Sequence, residues 1–279
     1  MTGRSPRHQE RAWTPTGIEE LAERGGDPIG RLELALLAAW RPDTLLVRPG
    51  IEGCVLREHS GMTKRANSAL VFSRTVPGGL PAIADWYRRR GLPALAMLRT
   101  DSRPPEFASP TPDPQVLVMT AAAGRIAGIA GGMTDPGRGA AGVAVILDSA
   151  PAEALMGRTS SRARPSTEPG RARDLARRLL TSAPLQVFCR TPTGGVGRLA
   201  VTGVDGIAVI DGLYVPPPAR RRGEATAMIR ALAGAALAHG ARTVALEVEE
   251  NNAGAMACYL KAGMRTHHRH RYVVVTADH

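Results

Sequence analysis

The residues best suited to chemistry fall in one stretch, from Val209 to Tyr259. An apolar strand ends at Val215 and meets Pro216, Pro217 and Pro218, which cannot extend a ladder. Arg220, Arg221, Arg222, Gly223, Glu224, Ala225 and Thr226 then lead into a helix. A glycine at such a point lets backbone approach a ligand, because no Cβ intervenes. The first turn of a helix has N–H groups without intrahelical partners and carries the positive end of the dipole. With three arginines beside it, this pattern reads as a cradle for a pyrophosphate. Alone, it also describes an ordinary strand-to-helix turn with a solvated basic face. Neither GxxxxGK(S/T) nor a GxGxxG after a strand occurs, which argues against a P-loop and a dinucleotide fingerprint.

The elements around the cradle must hold it still. Ile229, Leu232, Ala233, Ala236 and Leu237 recur at helical spacing and form one apolar stripe that faces a sheet. Gly240 sits where a helix C′ residue belongs. A strand from Val244 to Val248 follows, and the pair Asn251-Asn252 then opens a second helix, asparagine being a favoured N-cap. Asn252, Ala255 and Tyr259 share one face of it. By itself Tyr259 reads as a core tyrosine with a satisfied hydroxyl.

Three acids lie close by in sequence. Asp211 alternates with Val209 and Leu213 along the first strand, and Glu247 and Glu249 lie on the next. His267, His268 and His270 suggest a metal, but no cysteine or carboxylate accompanies them at a ligand spacing. No metal is expected, and the histidines are placed at the turn into a last strand, Tyr272 to Val275.

The composition bounds the remaining classes. At 279 residues, with 43% hydrophobic content, the chain can bury a sizeable core. A formal charge of +11 would ordinarily indicate a polyanionic partner. Here lysine occurs only at Lys64 and Lys261, the arginines are scattered, and no aromatics interleave with them to stack bases. A nucleic-acid partner is therefore not expected. Cys54, Cys189 and Cys258 are far apart and odd in number, which suits reduced thiols in a cytoplasmic protein. Residues 1–16 have no apolar core of a signal sequence, and no later run suits a membrane span.

Pattern along the chain predicts a helix over 29–40, strands over 53–58 and 65–72, a helix over 80–90, and strands over 93–98 and 115–120. Residues 101–114 read as a loop, and 121–141 as a connection between two halves. The second half reads as a strand at 143–147, a short helix at 152–156, a mobile loop at 157–170, and a helix at 172–180. Strands follow at 185–189, 197–202 and 207–215. Runs of strands broken by helices imply an α/β class with a mixed sheet. The organisation is a tail over 1–16, a first lobe over 17–140 and a second over 141–279. The first lobe repeats part of the second's order, but after Ala69–Phe72 it offers only Thr75-Val76-Pro77-Gly78-Gly79 where the second has its cradle.

Val215, Pro217, Arg220, Gly223 and Ala225 match V-x-P-x-x-(R/Q)-x-x-G-x-(G/A). Asn252, Ala255, Tyr259 and Gly263, with Met264 in place of phenylalanine, match a second signature. On these residues the chain resembles the acyl-CoA-binding core of the GNAT superfamily of N-acetyltransferases. The first lobe is similar to the degenerate half of tandem GNAT proteins and is not expected to bind CoA. The resemblance implies an acetyl-CoA-dependent transfer to a primary amine of a small molecule or protein. Leu213, Tyr214 and Val215 would offer backbone to the pantetheine arm, and the N–H near Leu213 would polarise the thioester carbonyl. Residues 220–226 would hold the pyrophosphate, Asn252 would hold the pantetheine amide with Ala255 beside it, and Tyr259 would protonate the departing thiolate. Asp211 is the chosen base, with a solvent relay as the alternative. Glu224 stands where the family usually has an aliphatic residue; its carboxylate is expected to point away from the phosphates, the alternative being that it weakens cofactor binding. A CoA-binding regulator without catalysis stays open, as does a monomer or a homodimer.

Overall fold

A computed structural model of the protein describes residues 28–47, 53–72, 80–100, 108–128 and 143–275. The described chain begins with α1 (Pro28–Ala39), β1 (Thr44–Leu46), β2 (Cys54–Glu58), β3 (Ala69–Val71) and α2 (Leu80–Arg88). Next come β4 (Leu95–Arg99), β5 (Ala108–Pro110), β6 (Val116–Ala122) and the short α3 (Ala123–Ala127). Then follow β7 (Ile146–Asp148), α4 (Glu153–Ser160), α5 (Pro169–Leu180), β8 (Leu185–Arg190), β9 (Val196–Val201) and β10 (Ile207–Tyr214). After a 3-10 turn (Pro217–Ala219), α6 (Glu224–Ala238), β11 (Thr243–Glu249), α7 (Ala253–Lys261) and β12 (Arg265–Val275) complete it.

All twelve strands join one mixed sheet in the order β1-β2-β3-β4-β12-β6-β11-β10-β9-β8-β7, with β5 also on β12. Among the described residues only β3–β4 and β10–β11 pair in parallel. Each of these is a crossover through a helix, α2 in one case and α6 in the other, since parallel neighbours cannot be joined by a tight turn. β6 pairs antiparallel with β11, and β12 pairs antiparallel with both β4 and β6. Each half of the chain thus contributes a strand beside the other's parallel pair, and the sheet passes without a break through the region assigned to two lobes.

Helices cover both faces. On one, α1, α4 and α5 bury Leu32, Leu36, Leu155, Met156, Leu175 and Leu179 over Val209 and Ala245. Leu34 and Leu37 extend α1 onto Leu70, Met97 and Tyr272. On the other, Met228, Ile229, Leu232 and Ala233 of α6 bury against Leu199, Ile210 and Leu246. Each large apolar side chain removed from water is worth about 1.5–3 kcal/mol, so α6 is pinned along its length and its N-terminus is held with it.

The helix over 29–40 and most of the strands lie where the pattern placed them. Four readings change. β1 and β5 were not anticipated, being strands of three residues each. The loop assigned to 157–170 is partly helix, because α4 runs to Ser160 and α5 starts at Pro169. There Glu168 caps it by accepting from the N–H groups of Gly170 and Arg171, at 2.9 Å each. Within the connection assigned to 121–141, residues 123–127 form α3. The last strand begins at Arg265, not Tyr272, so His267, His268 and His270 lie within the sheet. The expected tail over 1–16 and the turn Thr75–Gly79 lie outside the described residues. Cys54, Cys189 and Cys258 carry free thiols.

Candidate active site

β10 and β11 pair at Ile207–Thr243, Ala208–Val244 and Val209–Ala245, and then part. β10 continues to Tyr214 and β11 to Glu249, but not as partners. The cause lies on the other edge of β10. Asp211 stands opposite Arg198 and Tyr214 opposite Val196, so three steps on β10 span two on β9. Such a bulge bends its strand and strengthens the twist. Gly212 has φ 63°, and a Cβ there would come 2.8 Å from Leu155 Cδ1. Glycine is what this backbone tolerates. The result is a slot between the unpaired end of β10 and β11, beyond Val209 and Ala245.

The slot leads to the start of α6. Beyond Val215 the 3-10 turn reverses the chain, and Arg220 Nε donates to the Val215 carbonyl at 3.1 Å. Arg221 (φ 64°) and Gly223 (φ 86°) are left-handed. Gly223 occupies the N-cap position of α6 without a side-chain cap. The first intrahelical donor is Ala227, whose N–H meets the Gly223 carbonyl at 2.9 Å. The N–H groups of Glu224, Ala225 and Thr226 therefore have no acceptor from a capping side chain. Arg220, Arg221 and Arg222 are exposed around them. This arrangement fits a pyrophosphate.

Glu224 is turned out of the cradle, as expected. Its Oε2 accepts from Thr191 Oγ1 at 2.9 Å and Thr193 Oγ1 at 2.6 Å, both on the turn between β8 and β9. Thr191 Oγ1 in turn accepts from the Gly195 N–H at 2.8 Å. The carboxylate is buried, and it locks the helix start to the neighbouring hairpin instead of opposing an anion.

On α7, Asn252 caps the helix through Oδ1, which accepts from the Ala255 N–H at 3.2 Å. Ala255 and Tyr259 are half-buried and pack against the α6 side of the sheet. Burial pushes the Tyr259 hydroxyl up to about 12, with the nearby Cys258 adding to the effect. It therefore stays protonated through neutral pH, which a proton donor requires. Thr226 Oγ1 lies 3.8 Å from Cys258 Sγ and links the two helices.

Asp211 requires a correction. Strict alternation would put it on the face of Leu213, but the bulge at Gly212 intervenes. Leu213 joins the α6 side with Ile210 and Val215, whereas Asp211 faces the α1 side with Val209. There its Oδ2 accepts from Arg198 Nη1 at 2.9 Å, and Arg198 Nη2 donates to the Ala39 carbonyl at 2.6 Å. Burial raises the Asp211 carboxyl above the usual range, opposed by Arg198 and Arg65. Tyr214 shares this face, under the Arg158 guanidinium at 3.7 Å.

A polar row continues from Asp211 across the sheet. Glu247 pairs with Arg65, and its Oε1 lies 3.5 Å from His270 Nε2. Glu249 ends β11 and is exposed. Sequence reading missed Arg198, Arg65 and Glu33 as members of this row. Arg198 and Glu33 had a signal, namely a charge at a buried strand position (GRLAV) and an acid within an apolar helix (LELALL).

Residues 28–273 match a family model described as "Probable histone acetyltransferase Rv0428c C-terminal". The chain belongs to this family of GNAT N-acetyltransferases. Solved structures with the same fold include a tandem GNAT protein from the clavulanic acid biosynthesis pathway. It is 14% identical, with a TM-score of 0.64 and 94% of each chain covered. A GCN5-related N-acetyltransferase from Kribbella flavida is 14% identical, with a TM-score of 0.58 over 88% of this chain and 95% of that one. One from Sphaerobacter thermophilus is 17% identical, with a TM-score of 0.54 over 94% and 93%. No curated protein matches. Among the described residues no helix is long and apolar enough to cross a membrane.

Proposed function

We propose that the enzyme takes its acetyl group from acetyl-CoA and transfers it to a primary amine. The single observation that carries this reading is the parting of β10 and β11 at the Gly212 bulge, directly before an uncapped helix start at Gly223. A pantetheine arm fits the slot by pairing with the open edge of β10 at Leu213, Tyr214 and Val215. The pyrophosphate sits on the N–H groups of Glu224, Ala225 and Thr226, with Arg220, Arg221 and Arg222 around it. The N–H at Leu213 faces the thioester oxygen and stabilises the charge that develops there. Asn252 and Ala255 border the arm on the α7 side.

The amine nitrogen attacks the carbonyl carbon; the C–N bond forms and the C–S bond breaks. Tyr259 gives its proton to the thiolate. Because Asp211 is held by Arg198, the amine proton leaves through solvent in this reading, and Asp211 keeps the strand rather than the reaction. The described family name makes a lysine-rich histone peptide one acceptor to try, beside small amines and amino acids.

The test is direct. Acetyl-CoA should raise the melting temperature, and an amine panel should release CoA thiol. Tyr259→Phe should slow turnover while the acetyl-CoA Kd is retained. Absence of any stabilisation by acetyl-CoA would refute the slot. Stabilisation without turnover on any amine would point instead to a CoA-binding regulator.

A further inference from the structure

A second group of ligating side chains lies beyond Glu247. His268 and His270 stand two apart on β12, so both leave the same face of the sheet, the face that α1 crosses. Glu33 of α1 meets them there. His268 Nε2 is 2.7 Å from Glu33 Oε1, and His270 Nδ1 is 3.6 Å from the same oxygen. One ligand atom from each residue lies within 4.8 Å of the others. Glu33, His268 and His270 are only 3%, 8% and 1% exposed.

The second observation is what the cluster leaves undone. Glu33 Oε2 is buried without a hydrogen-bond partner, and His270 Nδ1, also buried, has none beyond its long 3.6 Å approach to Glu33 Oε1. An orphaned buried polar atom costs about 1–3 kcal/mol, and two orphans beside each other call for a shared partner. One carboxylate and two imidazoles are a donor set that a divalent transition ion takes up, with a position left open.

We propose that Glu33, His268 and His270 form a binding site for zinc(II) at the seam between α1 and β12. Ligand atoms at zinc distances stand about 3.4 Å apart in a tetrahedron, so side-chain shifts of about an ångström close the site. His268 ligates through Nε2 and His270 through Nδ1. Behind them stand the groups that orient ligating imidazoles. Glu247 Oε1 is 3.5 Å from His270 Nε2, and His267 Nδ1 is 3.0 Å from His268 Nδ1. A cleft of about 360 Å³, lined by Ile29, Thr100, Thr266, His267, His268 and Arg269, reaches the cluster at His268 and offers an entry path from that side. The site does not depend on the acetyl-transfer reading.

The experiment uses the full chain, tag-free and stripped with a chelator, then loaded with zinc(II), iron(II) under anaerobic conditions, or magnesium. Metal content is read by mass spectrometry after desalting, and thermal stability is read in parallel. The expected result is about one zinc per chain and a raised melting temperature, with magnesium not retained because it prefers oxygen ligands. Glu33→Gln and His270→Gln should each weaken zinc binding at least about tenfold, whereas His239→Gln, at the exposed end of α6, should bind as the parent does. Retention of iron(II) in place of zinc would overturn the choice of ion. Failure of the parent to retain any transition ion, or equal binding by the two ligand variants, would overturn the site. Should those variants misfold by circular dichroism, the cobalt(II) spectrum of the parent decides. An intense tetrahedral band supports the site, and the weak spectrum of the hydrated ion overturns it.

Discussion

Gly212→Ala probes the device that parts the two strands. Two costs can be worked from the geometry. An L-residue at φ 63° carries about 1–2 kcal/mol. The added methyl also comes 2.8 Å from Leu155 Cδ1. Leu155 is 2% exposed within the α4–α5 cluster, so it cannot swing into solvent. Overpacking of this kind costs about 1–3 kcal/mol; a leucine terminus can yield slightly, which favours the lower half, about 1–2. The single variant should therefore lose about 2–4 kcal/mol. Leu155→Ala alone should lose about 2–5 kcal/mol through the cavity it opens. In the double variant the methyl fills part of that cavity and the clash vanishes, while the backbone cost remains. The double-mutant cycle should then return a coupling of about −1 to −2 kcal/mol. Urea unfolding of the four proteins measures it, with acetyl-CoA affinity as the functional readout, expected to weaken in Gly212→Ala. Additivity within about 0.5 kcal/mol would refute the claim that the bulge is packed against Leu155.

Substitutions at three other residues test the same structure. Asp211→Ala should cost about 3–5 kcal/mol in urea unfolding, because it strands the fully buried Arg198 guanidinium. Asp211→Asn should keep most of the turnover rate at neutral pH, and a large loss would restore Asp211 as the base. Glu224→Ala should destabilise by about 1–3 kcal/mol by leaving Thr191 and Thr193 without their acceptor. Its acetyl-CoA Kd should hardly change, and a marked tightening would mean that the carboxylate faces the phosphates after all. The Glu168 carboxyl is held below its ordinary 4.5 by the Gly170 and Arg171 N–H groups. A depressed carboxylate stabilises the fold above its unfolded value and ceases to as pH falls through the folded one. The melting-temperature gap between the parent and Glu168→Ala should therefore be constant near neutrality and close below pH 4.5; a gap that persists in acid would contradict the cap.

What the sequence determined by itself was local. Proline after Val215, glycine at 223, the apolar stripe of α6 and asparagine at 252 each fix a dihedral, a cap or a buried face within a few residues of themselves. The helix start at Gly223, both helices and the mixed sheet were legible for that reason, as was the outward turn expected of Glu224. Its partners were not, since Thr191 and Thr193 reach it only when β8 and β9 fold beside α6. The tertiary structure also decided the face of Asp211. A single extra residue at Gly212 reverses alternation, and no two-residue period reveals a bulge. It decided the histidines too. His267, His268 and His270 lacked a carboxylate at any short spacing, and Glu33 reaches His268 from 235 positions away, with His270 beside it. That meeting depends on β12 inserting between β4 and β6 and on α1 crossing the seam, both long-range packing events that spacing along the chain does not encode.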